Sequence, residues 1–180
     1  MTKGRKPRKP RTINLNAFNT ALYRVGRLTE PEVREAITPA QTCLARLREG
    51  VATEDQHTVL ATSVLLALEI ERSGIVRGLQ EHLASGRAAL DAIRARALAS
   101  GAWRPTPLYF FELEALQDAV KLHEFQLRQL SAGELNTVVN RLIARTRSTG
   151  GQLVRTSVDQ LCAGAKCIGK AEAKEGAPCA

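Results

Sequence analysis

Histidine and cysteine are the residues of this 180-residue chain that could carry chemistry, and their spacing is unfavourable for it. The three histidines, His57, His82 and His123, share no metal-ligand spacing. Three of the four cysteines follow a C-x4-C-x11-C pattern near the C-terminus (Cys162, Cys167 and Cys179). Structural zinc sites usually contain a tight C-x2-C pair or a nearby histidine, and this pattern has neither. The sequence therefore predicts reduced thiols, no metal site and no cofactor.

His123 is the histidine whose position invites a catalytic interpretation. It lies on the apolar stripe of a predicted helix over residues 106–130, between Val120 and Leu127. A histidine on such a stripe is most often a core-edge residue that donates to a backbone carbonyl, and we expect that here. The nearby carboxylates form no marked acid–base pair, and no phosphate-binding loop or nucleophile motif occurs. We therefore predict no catalytic residues and a protein that is not an enzyme.

A basic arm begins the chain, and it is the first candidate for binding. Basic side chains alternate there with Pro7 and Pro10, and the nucleic-acid candidates among them are Arg5, Lys6, Arg8, Lys9 and Arg11. The segment is similar to an AT-hook, although Lys6 separates Arg5 from Pro7. Like charges and prolines predict a disordered arm over residues 1–12. Such an arm is commonly a solubilising tail, but it can also bind polyphosphates through counterion release.

Two further surfaces are candidates on predicted helices. Arg141 and Arg145 share a helix face and could contact phosphates, although a solvated face is the commoner use of this spacing. Tyr109, Phe110 and Phe111 span about 200° of a helix. Burial of these rings is the favoured interpretation. The alternative is that one ring, with Tyr109 and Phe110 as candidates, is exposed for a protein partner.

Helical periodicity extends over the middle of the chain and predicts an all-α fold, an irregular bundle of about six helices over residues 13–148. Capping boxes begin helices at Thr29, Thr53 and Ser131, and Thr106 is predicted to cap the long helix that carries His123. Pro39 should kink or divide the helix that contains it. Residues 149–180 are predicted to be a mostly disordered tail.

Charge and hydropathy restrict the cellular setting. Residues 1–11 carry six basic and no acidic side chains, residues 12–140 carry 13 and 15, and residues 141–180 carry 7 and 3. The formal net charge of +8 thus lies at the two ends.

No apolar run approaches the roughly 18 residues that span a membrane. The basic N-terminus continues into prolines instead of an apolar stretch, which argues against a secretory signal. We expect a cytoplasmic protein with no membrane partner.

The order of several short segments resembles a group of small, functionally uncharacterised proteins of proteobacterial prophages and other mobile elements. The matching segments are a basic leader into Ile13-Asn14, Leu47-Arg48-Glu49-Gly50, Thr53-Glu54-Asp55, Ala67-Leu68-Glu69, Glu112-Leu113-x-Ala115-Leu116 and Leu122-His123-x-x-Gln126-Leu127. They lie within residues 5–145. The resemblance implies a helical fold and a mobile-element origin, and it implies no activity.

These features favour a non-enzymatic accessory protein of a phage or mobile element. The arm would hold DNA or RNA weakly, and the bundle would contact a host or phage protein. A second hypothesis is a pure protein–protein module that inhibits a host defence or regulatory complex. A third and lesser one is a structural or assembly protein of the phage particle.

Overall fold

The computed structural model describes residues 15–150, and this part of the chain is an all-α bundle of six helices, as predicted. They are α1 Leu15–Val25, α2 Glu30–Arg48, α3 Glu54–Ser73, α4 Gln80–Ala97, α5 Phe110–Gln129 and α6 Ala132–Ser148. No strand forms within it, and one isolated bridge joins Arg27 to Ser131. The predicted arm over residues 1–12, with its five candidate residues, and nearly all of the predicted tail, with its three cysteines, lie outside the described residues.

Helix α3 is the centre of the bundle. It contacts α2, α4, α5 and α6, and Leu60, Val64, Ala67 and Ile70 are buried along it. The sequence of α3 is apolar over most of its circumference, which is typical of a helix covered on several sides. Helix α5 is its main partner in organising the fold, since it packs against α2, α3 and α4.

Local signals place most helix starts. At Thr53 the side-chain oxygen accepts the Gln56 N–H at 3.2 Å, and at Ser131 the hydroxyl accepts the Glu134 N–H at 3.3 Å. At Thr29 the Glu32 carboxylate accepts the Thr29 N–H at 2.8 Å, so all three predicted capping boxes form. The predicted start of α5 at Thr106 is wrong. The N-cap is Tyr109, because the Glu112 carboxylate accepts the Tyr109 N–H at 3.0 Å.

Two residues that disfavour helices, a proline and a glycine, lie inside continuous helices. Pro39 does not divide its helix, since α2 continues from Glu30 to Arg48. Gly86 is buried within α4, which continues through it. A Cβ atom at this glycine would lie 2.7 Å from the Ala119 Cβ of α5. Gly86 therefore allows the backbones of α4 and α5 to approach closely.

Helix α1 is peripheral. It packs chiefly on α6, and all of its described side chains, from Asn19 to Val25, are exposed. Apolar Leu22, Tyr23 and Val25 are among them. The connection after α1 is held to the start of α6, where the Leu28 N–H donates to the Leu130 carbonyl at 2.9 Å. Helix α1 thus joins the N-terminal end of the chain to α6 and leaves an apolar face uncovered.

Candidate interaction surfaces

The two buried histidines have structural surroundings. His123 is buried in the core, as its position on the stripe predicted, but its Nδ1 has no hydrogen-bond partner. The carbonyl acceptor expected for His123 is found instead at His57, whose Nε2 lies 2.9 Å from the Leu90 oxygen. Burial lowers the pKa of His57, and it lowers the pKa of His123 to about 4 against the weak opposing effect of Gln126. Both imidazoles are therefore neutral near pH 7.

A buried ion pair positions the start of α5. Two nitrogens of Arg96 donate to the two Glu112 oxygens, each at 2.6 Å, and Glu112 is fully buried. Burial by itself raises the pKa of Glu112, but the bonds from Arg96 and from the Tyr109 N–H outweigh it and hold the pKa below its usual value. The Arg96 guanidinium also lies 4.5 Å above the centre of the Tyr109 ring. One arginine thus connects α4 to the cap of α5 and to an exposed aromatic ring.

The first three aromatic residues of this region form a surface that we call the aromatic ridge, consisting of Tyr109, Phe110 and Phe111. Their exposed fractions are 54%, 81% and 66%, respectively. The Tyr109 and Phe111 rings are stacked with centres 5.6 Å apart. The favoured prediction that these rings are buried is wrong. Because Arg96 and Glu112 anchor the helix start, the ridge lies at the bundle surface and all three rings face solvent.

Arg145 of the predicted phosphate stripe is engaged in an ion pair. Its Nη1 lies 2.6 Å from the Oε2 of Glu69, which is buried on α3, and Arg72 approaches the same oxygen at 3.6 Å. This ion pair joins α6 to α3 through two residues that are 76 positions apart in the sequence. Arg145 is still half-exposed. Two arginines share one carboxylate here, so the surface around Glu69 carries excess positive charge.

Arg141 lines a groove that the sequence did not reveal. The groove lies between α1, α6 and the residues that follow α3, and we call it the α1–α6 groove. Its volume is about 540 Å³, and Arg24 of α1 lines it together with Arg141. Neither arginine forms an ion pair within residues 15–150. Arg141 and Arg145, which spacing alone grouped together, thus have different surroundings.

Gly133 makes the α1–α6 groove possible. A Cβ atom at this position would lie 2.7 Å from the backbone oxygen of Arg24, so only glycine lets α1 approach α6 this closely. In the sequence, Gly133 is simply the second residue of the helix that the Ser131 capping box begins. Its contact lies more than 100 positions away along the chain, so no local pattern could have identified it.

Helix α1 belongs to a part of the chain that contains basic side chains and no acidic ones. Residues 1–29, which we call the basic segment, contain eight of the 26 basic side chains and none of the 18 acidic ones. The remaining residues carry 18 of each, so the basic segment accounts for the whole formal net charge of +8. The described end of this segment, α1, lies beside Arg141 on α6. Arg24 of the basic segment and Arg141 thus place two positive charges on one face of the bundle.

Within residues 15–150, no three His, Cys, Asp or Glu side chains are grouped as a metal ion would require. None of the six helices is both long enough and apolar enough to cross a lipid bilayer.

No protein-family model, curated protein or solved structure matches the chain.

Proposed function

We propose that the protein acts by binding and not by catalysis. The basic segment holds nucleic acid, and the helical bundle presents a surface to a protein partner. The resemblance to prophage-encoded proteins suggests the setting, a non-enzymatic accessory protein of a mobile element. His57 and His123 are both buried, out of reach of a substrate, and this favours the proposal over an enzyme that uses either imidazole as acid or base.

The observation that carries the proposal is the location of the net charge. Residues 1–29 carry a net charge of +8, whereas the positive charge of residues 141–180 is offset by the acidic residues between. Helix α1 of the basic segment lies beside Arg141, which forms no ion pair within residues 15–150. A cationic chain of this kind gains free energy on any polyphosphate because condensed counterions are released. Within the described residues, Arg24 of this segment lies on the same groove as Arg141, an arrangement that solubility alone would not require.

Removal of residues 1–11 tests this proposal. These residues carry six of the basic side chains, so we expect the shortened chain to lose binding to generic duplex DNA in a mobility-shift assay at low salt. Arg48→Glu in the full chain is the control for a charge change outside the basic segment. Arg48 is exposed at the far end of α2 and forms no ion pair within the described residues, so this variant should still bind. Undiminished binding after the deletion would overturn the proposal.

A protein-binding module that makes no use of nucleic acid is the second candidate, and the aromatic ridge favours it. Exposed rings supply large apolar contact areas, and aromatic residues are enriched at protein interfaces. The double variant Phe110→Ser and Phe111→Ser should abolish capture of a partner from host lysate, since both rings are mostly exposed and their loss leaves the core intact.

The same capture assay separates the two candidates. Capture that survives nuclease and high salt but is lost in the Phe110→Ser, Phe111→Ser variant supports the protein-binding module. Capture that disappears with nuclease supports the nucleic-acid proposal.

A further inference from the structure

The α1–α6 groove is an open surface groove large enough for a small ligand. Its volume of about 540 Å³ lies within the range of roughly 300 to 1,000 Å³ that is usual for small-molecule pockets. Arg24 and Arg141 line it from two different helices. Both side chains are exposed, and neither forms an ion pair within residues 15–150. The groove therefore offers two available guanidinium groups.

The chemistry of the lining identifies the class of ligand. Guanidinium groups pair with phosphate oxygens through paired, charge-assisted hydrogen bonds. One carboxylate, that of Glu134, also lines the groove, but its Oε2 accepts both the N–H and the hydroxyl of Ser131 at 2.8 Å. Two positive charges thus face one negative charge that is engaged in capping α6. The balance favours an anion.

The rest of the lining is suited to more than a phosphate. Val25, Ile75 and Val138 contribute apolar surface, and Ser73 and Thr137 contribute hydroxyl groups. A free inorganic ion would leave the apolar surface unused. A nucleotide places a phosphate, a sugar and a flat base next to one another, and therefore matches charged, polar and apolar surface in one site.

We propose that the α1–α6 groove receives one nucleotide of a single-stranded nucleic acid, with its phosphate between Arg24 and Arg141 and its base against the apolar residues. The inference rests on the proposed function, because the basic segment supplies the attraction that delivers the strand. A duplex keeps its bases stacked inside and presents phosphates on a convex surface. A single strand can turn one base outwards into a groove.

The position of α1 is part of this site. One wall of the groove is α1, and the glycine at position 133 lets α1 approach α6. Arg24 and Val25, the last two residues of α1, form this wall.

Binding of single strands compared with duplex tests the inference. The probes are labelled oligo(dT), oligo(rU) and a duplex DNA, each of about 12 nucleotides in length, which suffices for one compact binding site. We expect the full chain to bind at least one single strand more tightly than the duplex. The double variant Arg24→Gln and Arg141→Gln should weaken single-strand binding by about tenfold or more, which corresponds to the loss of one charge-assisted contact. It should change duplex binding by much less.

A control with the same charge change is available at the other end of the bundle. Arg48→Gln with Arg104→Gln removes two exposed arginines near Ala52, which precedes α3, whereas the groove adjoins Ser73 at the end of α3. The two ends of this 20-residue helix are about 30 Å apart. The control should retain the single-strand preference. Val25→Glu is a second test variant: Val25 is 80% exposed, so a carboxylate enters the groove without disturbing the core.

The outcomes separate this inference from the proposed function. Equal binding of single strands and duplex, or equal weakening of both by the Arg24→Gln, Arg141→Gln variant, overturns the groove as a nucleotide site. The proposed function then still stands, provided that deletion of residues 1–11 abolishes binding. Absence of binding to all three probes overturns both. A loss of binding by the Arg24→Gln, Arg141→Gln variant that is larger on oligo(dT) or on oligo(rU) than on the duplex supports the inference.

Discussion

At the scale of the single residue, burial in the core suppresses the protonation of His123. Its imidazole lies in the core with Nδ1 unpartnered, and the Oε1 of the neighbouring Gln126 is unpartnered as well. Burial disfavours the charged imidazolium and lowers its pKa to about 4. The ring contributes to packing while its proton affinity is suppressed.

This suppression makes stability depend on pH. The unfolded chain takes up a proton at this ring near the usual pKa of 6.5, whereas the folded protein does so only near pH 4. The contribution of His123 to the free energy of unfolding is therefore complete above pH 6.5 and is lost as the pH falls to about 4. The loss amounts to about 3 kcal/mol.

Denaturant midpoints measured from pH 7 to pH 4 check this expectation. His123→Met keeps an apolar side chain of similar size and should lose much less stability over the range than the natural protein. The difference between the two chains isolates His123, because His57 titrates in both. His82→Met, at an exposed position, is the control and should follow the natural protein. Parallel curves for the natural chain and the His123 variant would contradict the account.

At the scale of the element, two pairs of helices approach closely because a glycine, which has no side chain, lies at each contact. Gly86 lets α4 meet α5 at Ala119, and Gly133 lets α1 meet α6 at Arg24. Each glycine lies within a helix, where glycine is intrinsically unfavourable by about 1 kcal/mol relative to alanine. Packing against the neighbouring helix outweighs that cost.

Gly86→Ala tests this balance. The added methyl group would lie 2.7 Å from the Ala119 Cβ and 3.3 Å from the Ala115 oxygen, so α4 and α5 must separate. We expect the free energy of unfolding to fall by about 1–2 kcal/mol despite the better helix propensity of alanine. Ser85→Ala, at the exposed neighbouring position, should leave stability unchanged or raise it. A Gly86→Ala protein that is more stable than the natural one would show that the helices approach less closely.

At the scale of the whole molecule, local features of the fold could be predicted and long-range ones could not. The capping boxes at Thr53 and Ser131 and the central place of α3 follow from neighbouring residues and helical periodicity. The start of α5 at Tyr109 depends on Glu112, which Arg96 of another helix holds in place. That contact joins two different helices, so the pattern of neighbouring residues could not predict it.

The candidate sites likewise include features that the sequence predicts and features that depend on long-range contacts. Arg141 and Arg145 were grouped by their spacing, yet only Arg145 meets Glu69, a residue on a different helix. The α1–α6 groove and its dependence on Gly133 arise from two segments that are far apart in the chain. The exposure of all three ridge rings likewise depends on how α4 and α5 are joined. The charge of the basic segment, by contrast, is a property of the sequence itself.

The central claim is that this charge holds nucleic acid, and the salt dependence of binding tests it most directly. The measurement is the slope of log affinity against log salt concentration for the full chain and for the chain without residues 1–11, on one oligo(dT) probe. If the six basic residues of the arm contact phosphates, the full chain has a steep negative slope, and the deletion makes it shallower by about 4. Identical slopes for the two chains would show that the arm releases no counterions and would contradict the account.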